Sequence, residues 1–251
     1  MAGEDGTFAQ RFEYKYLITE SRADKVRDFV SSYMCLDSHA VKWVDQQYPV
    51  SSLYLDSRDL ALYYATLCGE KNRFKLRIRI YDDEPDSPAY LEIKARKNDV
   101  ICKQRAGVRK SCLERLVSNY YVDDDDLTNP SDGELDALHR FCELCVKMMA
   151  RPKAIVRYWR EPYVDPWGGS IRVTFDRRIG CFRTDDPIVR VNGDGWVDLP
   201  DPWVVLEVKF TDAYPLWARD MVQACDLPRS SAAKYVRSVN TLMELGVRVA
   251  G

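Results

Sequence analysis

Residues 73–81 read RFKLRIRIY. Side chains alternate faces along a strand, so Arg73, Lys75, Arg77 and Arg79 share one side while Phe74, Leu76, Ile78 and Ile80 share the other. A single strand of this kind would be an ordinary half-buried one with its cations in water. What constrains the fold is recurrence. Residues 91–94 put Glu92 and Lys94 on one face, and 102–109 do the same with Lys103, Arg105 and Arg109. Residues 155–159 centre on Arg157, 171–176 carry Arg172, Thr174 and Asp176, 205–210 carry Glu207 and Lys209, and 11–16 carry Arg11, Glu13 and Lys15. Each charged row is backed by an apolar one.

Around these rows the sequence predicts strands over 11–18, 49–56, 73–81, 89–96, 101–109, 153–161, 170–177 and 204–210. Helices are expected over 20–33, from Asp56 or Ser57 to Cys68, and over 112–118, 133–150, 215–225 and 231–245. Residues 34–48 read as a loop, and the acids Asp123–Asp126 as a solvated turn. Short polar turns such as 82–88 and 97–99 imply antiparallel neighbours. Eight such strands suggest closure into a barrel, which removes exposed edges. The fold class is therefore α+β, an eight-stranded antiparallel β-barrel with helices outside. Residues 1–10 form a tail and 11–246 a single domain.

Composition excludes several classes of function. With 251 residues and 46% apolar content the chain can bury a sizeable core. A net charge of −2 argues against a binder of nucleic-acid polymers, so any cationic surface is local. No run approaches the roughly 20 apolar residues of a membrane span, and the first residues have no signal-peptide core. The expectation is a cytoplasmic chain. Its eight cysteines are scattered, with Cys142 and Cys145 the one close pair, and they read as reduced thiols. With His39 and His139 the only histidines, chemistry would rest on Lys, Arg, Asp and Glu.

The orientation of the charged rows follows from the helices. Were the cations to face water, the helices' apolar stripes would have nothing to dock on; with the charged rows lining the interior, both sets of faces are satisfied. At an effective dielectric near 20, like charges about 4 Å apart repel by about 4 kcal/mol per pair, so such a lumen is wet, filled with anion, or both. The ligand it suits carries dense linear negative charge, such as a triphosphate or polyphosphate.

The ordered set Phe12-Glu13-Tyr14-Lys15-Tyr16, Ser52-Leu53-Tyr54-Leu55-Asp56, 75–81 (KLRIRIY), Leu91-Glu92-Ile93-Lys94, Lys103-Gln104-Arg105, Arg157-Tyr158, 172–176 (RVTFD) and 205–209 (VLEVK) resembles the VTC-type polyphosphate polymerase domain of the triphosphate tunnel metalloenzymes. The resemblance runs from Arg11 to about Val239. It implies an eight-stranded tunnel whose basic residues grip phosphate, with Mn2+ or Mg2+ on a glutamate near the end of the last tunnel strand. It gives catalytic roles to Lys15, Arg77, Arg79, Lys94, Arg157, Arg172 and Lys209, and phosphate-binding roles to Lys75, Lys103, Arg105 and Lys234. Glu207 would hold the metal, with Glu13 and Glu92 as further metal candidates or as counter-ions. Lys234-Tyr235 resembles the family's closing Ser-Lys-Tyr element, with Ala233 in place of the serine.

The implied activity is phosphoryl transfer from ATP to a polyphosphate chain, by positioning and charge neutralisation. No Gly-rich P-loop is present, which fits a grip made by side chains. A metal-dependent triphosphatase and a non-catalytic polyphosphate-binding module remain the alternatives. ATP or another triphosphate and polyphosphate are the expected ligands, and a membrane protein is a candidate partner.

Overall fold

The computed structural model describes residues 11–98, 100–169, 171–200, 203–211 and 213–250. The tail expected over 1–10 lies outside them. In chain order the elements are β1 (Arg11–Ile18), α1 (Glu20–Ser31), β2 (Cys35–Leu36), α2 (Ser38–Val41), β3 (Tyr48–Asp56), α3 (Ala61–Leu67), β4 (Asn72–Ile80), β5 (Ala89–Lys97) and β6 (Val100–Val108). There follow α4 (Leu113–Ser118), α5 (Asp132–Met148), β7 (Arg151–Val164), β8 (Arg172–Arg183), β9 (Val197–Asp198), β10 (Val204–Thr211), α6 (Leu216–Ala224) and α7 (Lys234–Glu244). Local chemistry starts the helices. Thr19 accepts the Arg22 N–H at the head of α1, Ser131 does the same for Glu134 at α5, and buried Asp56 accepts the N–H groups of Ser57, Leu62 and Tyr63 around α3.

All strands join one antiparallel sheet of order β1-β10-β8-β7-β3-β4-β5-β6, with β2 on β7 and β9 on β8. Register sorts the faces. Across one half, Ile155, Leu53, Ile78, Leu91 and Ala106 lie side by side and are all buried against α4 and α5. One step along, Ala154, Tyr54, Arg77, Glu92 and Arg105 form the opposite, inner row. In the other half Tyr14, Val208, Val173 and Tyr163 face outward towards α1 and α6, while Lys15, Glu207 and Thr174 face inward. The charged rows therefore point into a shared lumen, and apolar helix faces dock on the outside.

Two expectations about this architecture are corrected. Among the described residues no ladder joins β6 to β1, so the sheet curls without hydrogen-bonded closure. The free edge of β1 is used otherwise: Tyr16 bridges to Arg229, and Ser230 N–H donates to Lys15 O at 2.9 Å. Nor are all helices outside. The α7 helix lies against the inner face, where Tyr235 stacks on Tyr54 at 4.6 Å and its apolar side meets Val156, Cys181 and Val205. That part of the inner face is apolar because Ala154, Val156, Val205 and Cys181 occupy inward positions between the charged rows. Residues 34–48, expected as loop, contain the short β2 and α2. All eight cysteines are free, and among the described residues no helix is long and apolar enough to cross a membrane.

Phe141 of α5 is 1% exposed and sits at the centre of the outer core. Phe141→Ala is expected to lower unfolding free energy by about 3–5 kcal/mol in a urea titration, the cost of a large core cavity.

Candidate active site in a basic tunnel

Four carboxylates anchor the inner surface. Glu207 on β10 meets Lys209 at 2.7 Å, Lys234 at 3.0 Å, Lys15 at 3.1 Å and Arg160 at 3.4 Å. Glu92 on β5, with no exposed side-chain surface, meets Lys103 at 2.6 Å, Arg77 at 2.7 Å, Arg105 at 3.6 Å and Arg79 at 3.9 Å. Glu13 holds Lys94 at 2.8 Å and Lys15 at 2.9 Å. Asp176 takes both forks of Arg160 at 2.7 and 2.8 Å, and Lys234 at 2.6 Å.

Cations outnumber these acids, and the imbalance shows in the protonation of the lysines. Burial would push Glu207 up, but Lys15, Lys209, Lys234 and Arg160 outweigh it and hold the carboxyl well below the usual range. Glu92 is lowered in the same way, against its burial, by Arg77, Arg79 and Lys103. Lys234 is raised despite burial because Asp176 and Glu207 both hold it. Lys15 is raised despite burial because Glu13 and Glu207 hold it, whereas Lys75, Lys94, Lys103 and Lys209 fall short. Burial, only partly offset by Glu13, brings Lys94 down to about 8, with Lys15 and Lys209 adding repulsion. Lys75 is pushed well down by burial and by Lys15, Lys94, Arg77 and Arg73, and no carboxylate within the described residues pairs with it. Its neighbourhood is a cavity of about 330 Å³, bounded by β4, β5, β1 and the segment leading into α7.

The structure thus brings Lys15, Lys75, Arg77, Arg79, Lys94, Lys103, Arg105, Lys209 and Lys234 to the lumen with Glu13, Glu92 and Glu207. Arg172 stands on the same face in register with Lys209, at a mouth, and donates to Asp37 at 2.9 Å. Arg157 does not join them. Inward positions on β7 are Ala154, Val156, Tyr158 and Arg160, so Arg157 points out, donates to Val191 O and lies 4.0 Å over the Trp196 ring. The inward arginine of this strand is Arg160, which the sequence reading passed over. Asp176 was also left without a role. The signal for both was plain alternation, from Tyr158 to Arg160 and from Arg172 through Thr174 to Asp176.

Mg2+ and Mn2+ are hard cations that take oxygen ligands and are commonly held by one or two carboxylates together with substrate phosphate. Among the described residues no group of three or more His, Cys, Asp or Glu is placed to hold an ion. Glu207 and Glu13, which share Lys15, fit such a cation only when substrate oxygens complete its shell.

The family model of the VTC domain matches residues 10–243. The chain belongs to the VTC domain family. Subunit 4 of the vacuolar transporter chaperone complex of Schizosaccharomyces pombe (strain 972) is 24% identical over 231 residues, covering 77% of this chain and 32% of that protein. This VTC domain therefore spans about a third of that relative's length. Among solved structures, HpAC1 from Hippeastrum, described as having a dominant triphosphatase activity, is 12% identical with a TM-score of 0.49, covering 96% of this chain and 97% of that one. The PH1819 protein from Pyrococcus horikoshii is 10% identical with a TM-score of 0.45, covering 93% and 98%.

The lysine imbalance predicts a pH dependence in the ligand-free VTC domain. A lysine whose folded pKa is about 8, against about 10.5 unfolded, binds its proton less tightly when folded, so its contribution to stability rises as pH climbs from about 8 towards 10.5. Urea titrations across that range are expected to show wild type gaining stability relative to Lys94→Gln as pH rises. A constant difference would mean that Lys94 is not held short of counter-charge.

Proposed function

We propose that this VTC domain transfers the terminal phosphoryl group of ATP to the end of a polyphosphate chain. The observation that supports it best is the surplus of inward cations over carboxylates, most acutely at Lys75, in a lumen lined from several strands. An entering phosphate chain would take over ammonium and guanidinium groups now shared among Glu13, Glu92 and Glu207. Charge-assisted hydrogen bonds of this kind orient phosphates and stabilise negative charge on the transferred group.

In the step, a terminal oxygen of the chain forms a bond to the γ-phosphorus, while the bond from that phosphorus to the β–γ bridging oxygen breaks and ADP leaves with the electron pair. The attacking oxygen is already anionic, so no general base is required. Arg77, Arg79, Lys103 and Arg105, gathered on Glu92, would position one stretch of phosphate, and Lys15, Lys209, Lys234 and Arg160, gathered on Glu207, another. Lys94, Lys75 and Arg172 would extend the grip towards the mouths. Mn2+ or Mg2+ would be held by Glu207, with Glu13 beside it, and when bound supplies charge neutralisation on phosphate oxygens. Use of ATP suits a cytoplasmic domain. That the S. pombe relative is a subunit of a vacuolar transporter chaperone complex supports protein partners, a membrane protein among them.

A second reading is a triphosphatase in which water replaces the chain. The position of α7 on the inner face favours it, because a partly filled lumen suits a product that is short. Purified protein with ATP and Mn2+ separates the two: long-chain product supports the polymerase, free phosphate alone the triphosphatase, and neither leaves a binding module. Glu207→Gln is expected to abolish turnover while inorganic tripolyphosphate still binds, since the substitution removes a lumenal anion and no cation. Unchanged activity in that variant would take Glu207 out of the mechanism.

A further inference from the structure

We propose that Lys75 is a carbamate-forming lysine: its ε-amine takes up carbon dioxide, and the carbamate that results is the counter-ion the cavity beside it lacks. Formation of this adduct does not depend on whether the lumen transfers phosphate.

Of the lysines brought to the lumen, all but Lys75 have a carboxylate partner. Lys94 and Lys15 meet Glu13 at 2.8 and 2.9 Å, Lys103 meets Glu92 at 2.6 Å, and Lys209 and Lys234 meet Glu207 at 2.7 and 3.0 Å. Lys75 has neither an ion pair nor a hydrogen bond among the described residues. Its nitrogen is not sealed in the protein either, and it lines the cavity of about 330 Å³. The amine is therefore both unpartnered and within reach of a small molecule.

What surrounds it is positive. Lys94 stands directly opposite on β5, with Cβ atoms roughly 5 Å apart at the spacing of an antiparallel pair. Arg73 and Arg77 flank Lys75 on the same face, each roughly 7 Å away along β4. Arg96 on β5 is in register with Arg73. From β1 comes Lys15, and from the segment along its edge Arg229, whose guanidinium lies 3.8 Å over the Tyr14 ring. The α3 helix adds the uncharged Thr66, which donates to Leu62 O. Among the described residues Glu13 is the one carboxylate of this lining, and Lys15 and Lys94 already hold it. Repulsion from the cations and loss of water both favour the uncharged amine, which is the form that acts as a nucleophile.

The chemistry answers the missing charge. The amine lone pair attacks the carbon of carbon dioxide and an N–C bond forms. One electron pair of a C=O bond moves to its oxygen, and a proton leaves the nitrogen for solvent, so nothing is oxidised or reduced. Carbon dioxide arrives small and uncharged and becomes an anion in place. Its two oxygens then accept charge-assisted hydrogen bonds from the ammonium and guanidinium groups around them. Ser230 Oγ, a buried atom without a partner in the same lining, is a further donor. A phosphate chain draws on the same cations and, by its own charge, favours the protonated lysine. Carbamate and phosphate therefore exclude each other.

The test exposes the whole chain, dialysed free of phosphate, to carbon-13 bicarbonate in equilibrium with carbon dioxide near neutral pH. Ordinary lysines, with a pKa of about 10.4, stay protonated and inert there. Triethyloxonium converts any carbamate to a stable ethyl ester, which peptide mapping by mass spectrometry then locates, while carbon-13 NMR reports carbamate signals before trapping. The expected result is an ester at Lys75 and a carbamate signal that is absent from Lys75→Arg and abolished in wild type by saturating inorganic tripolyphosphate. No ester at Lys75, or esters spread evenly over exposed lysines, would overturn the proposal and leave the phosphate tunnel standing. An ester at Lys75 that survives saturating tripolyphosphate would uphold the carbamate and count against the tunnel reading. Mapping the wild type locates the adduct whether or not the variant folds.

Discussion

The structure depends on a lumen in which positive charge exceeds negative. Each inward carboxylate is shared, Glu207 among four cations and Glu92 among four more, and even so Lys75 pairs with no acid among the described residues. Taking ions out of water costs several kcal/mol each, and close geometry with satisfied partners is needed to offset it. Sharing the carboxylates offsets much of that cost for Arg77, Lys15 and Lys234. It leaves a deficit at Lys75 and Lys94 that only water or an incoming anion can cover.

The apolar side of the same strands makes that arrangement sustainable. Because the alternation that turns Arg77 and Lys15 inward turns Ile78 and Tyr14 outward, the sheet presents α1, α5 and α6 with greasy surface all round. Burial there, at about 25 cal/mol per Å² of apolar area, is the favourable term against which the charged interior is set. The inner helix α7 links the two systems. Its Tyr235 hydroxyl donates to Asp56 at 3.0 Å, its ring stacks on Tyr54, and the preceding residue, Lys234, reaches between Asp176 and Glu207. A side chain at the centre of the site is thus held by a buried latch at the base of α3.

Much of this was legible from alternation. The facing of residues 73–81, the inward set Glu92, Lys94, Lys103 and Arg105, and the pairing of Glu207 with Lys209 on one face all follow from a period of two. The failures have physical reasons. Arg157 was grouped with the inward cations because it is charged, although its neighbours Ile155 and Trp159 belong to the outer side. It is accommodated there by stacking on Trp159 and Trp196. The position of α7 was not legible because its amphipathic stripe fits an inner apolar patch as well as an outer one, and that patch is assembled from a few residues scattered over β3, β7, β8 and β10. Full closure failed for a similar reason: an edge can be satisfied by any extended segment, and residues 229 and 230 take that role at β1.

The most direct test of the central claim is the stability of the ligand-free protein as inorganic tripolyphosphate is added. If the lumen is an anion site short of negative charge, ligand at about 100 times its dissociation constant raises the unfolding free energy by about 2.7 kcal/mol, and the effect weakens as salt screens it. A melting temperature that does not move with saturating tripolyphosphate would contradict the account.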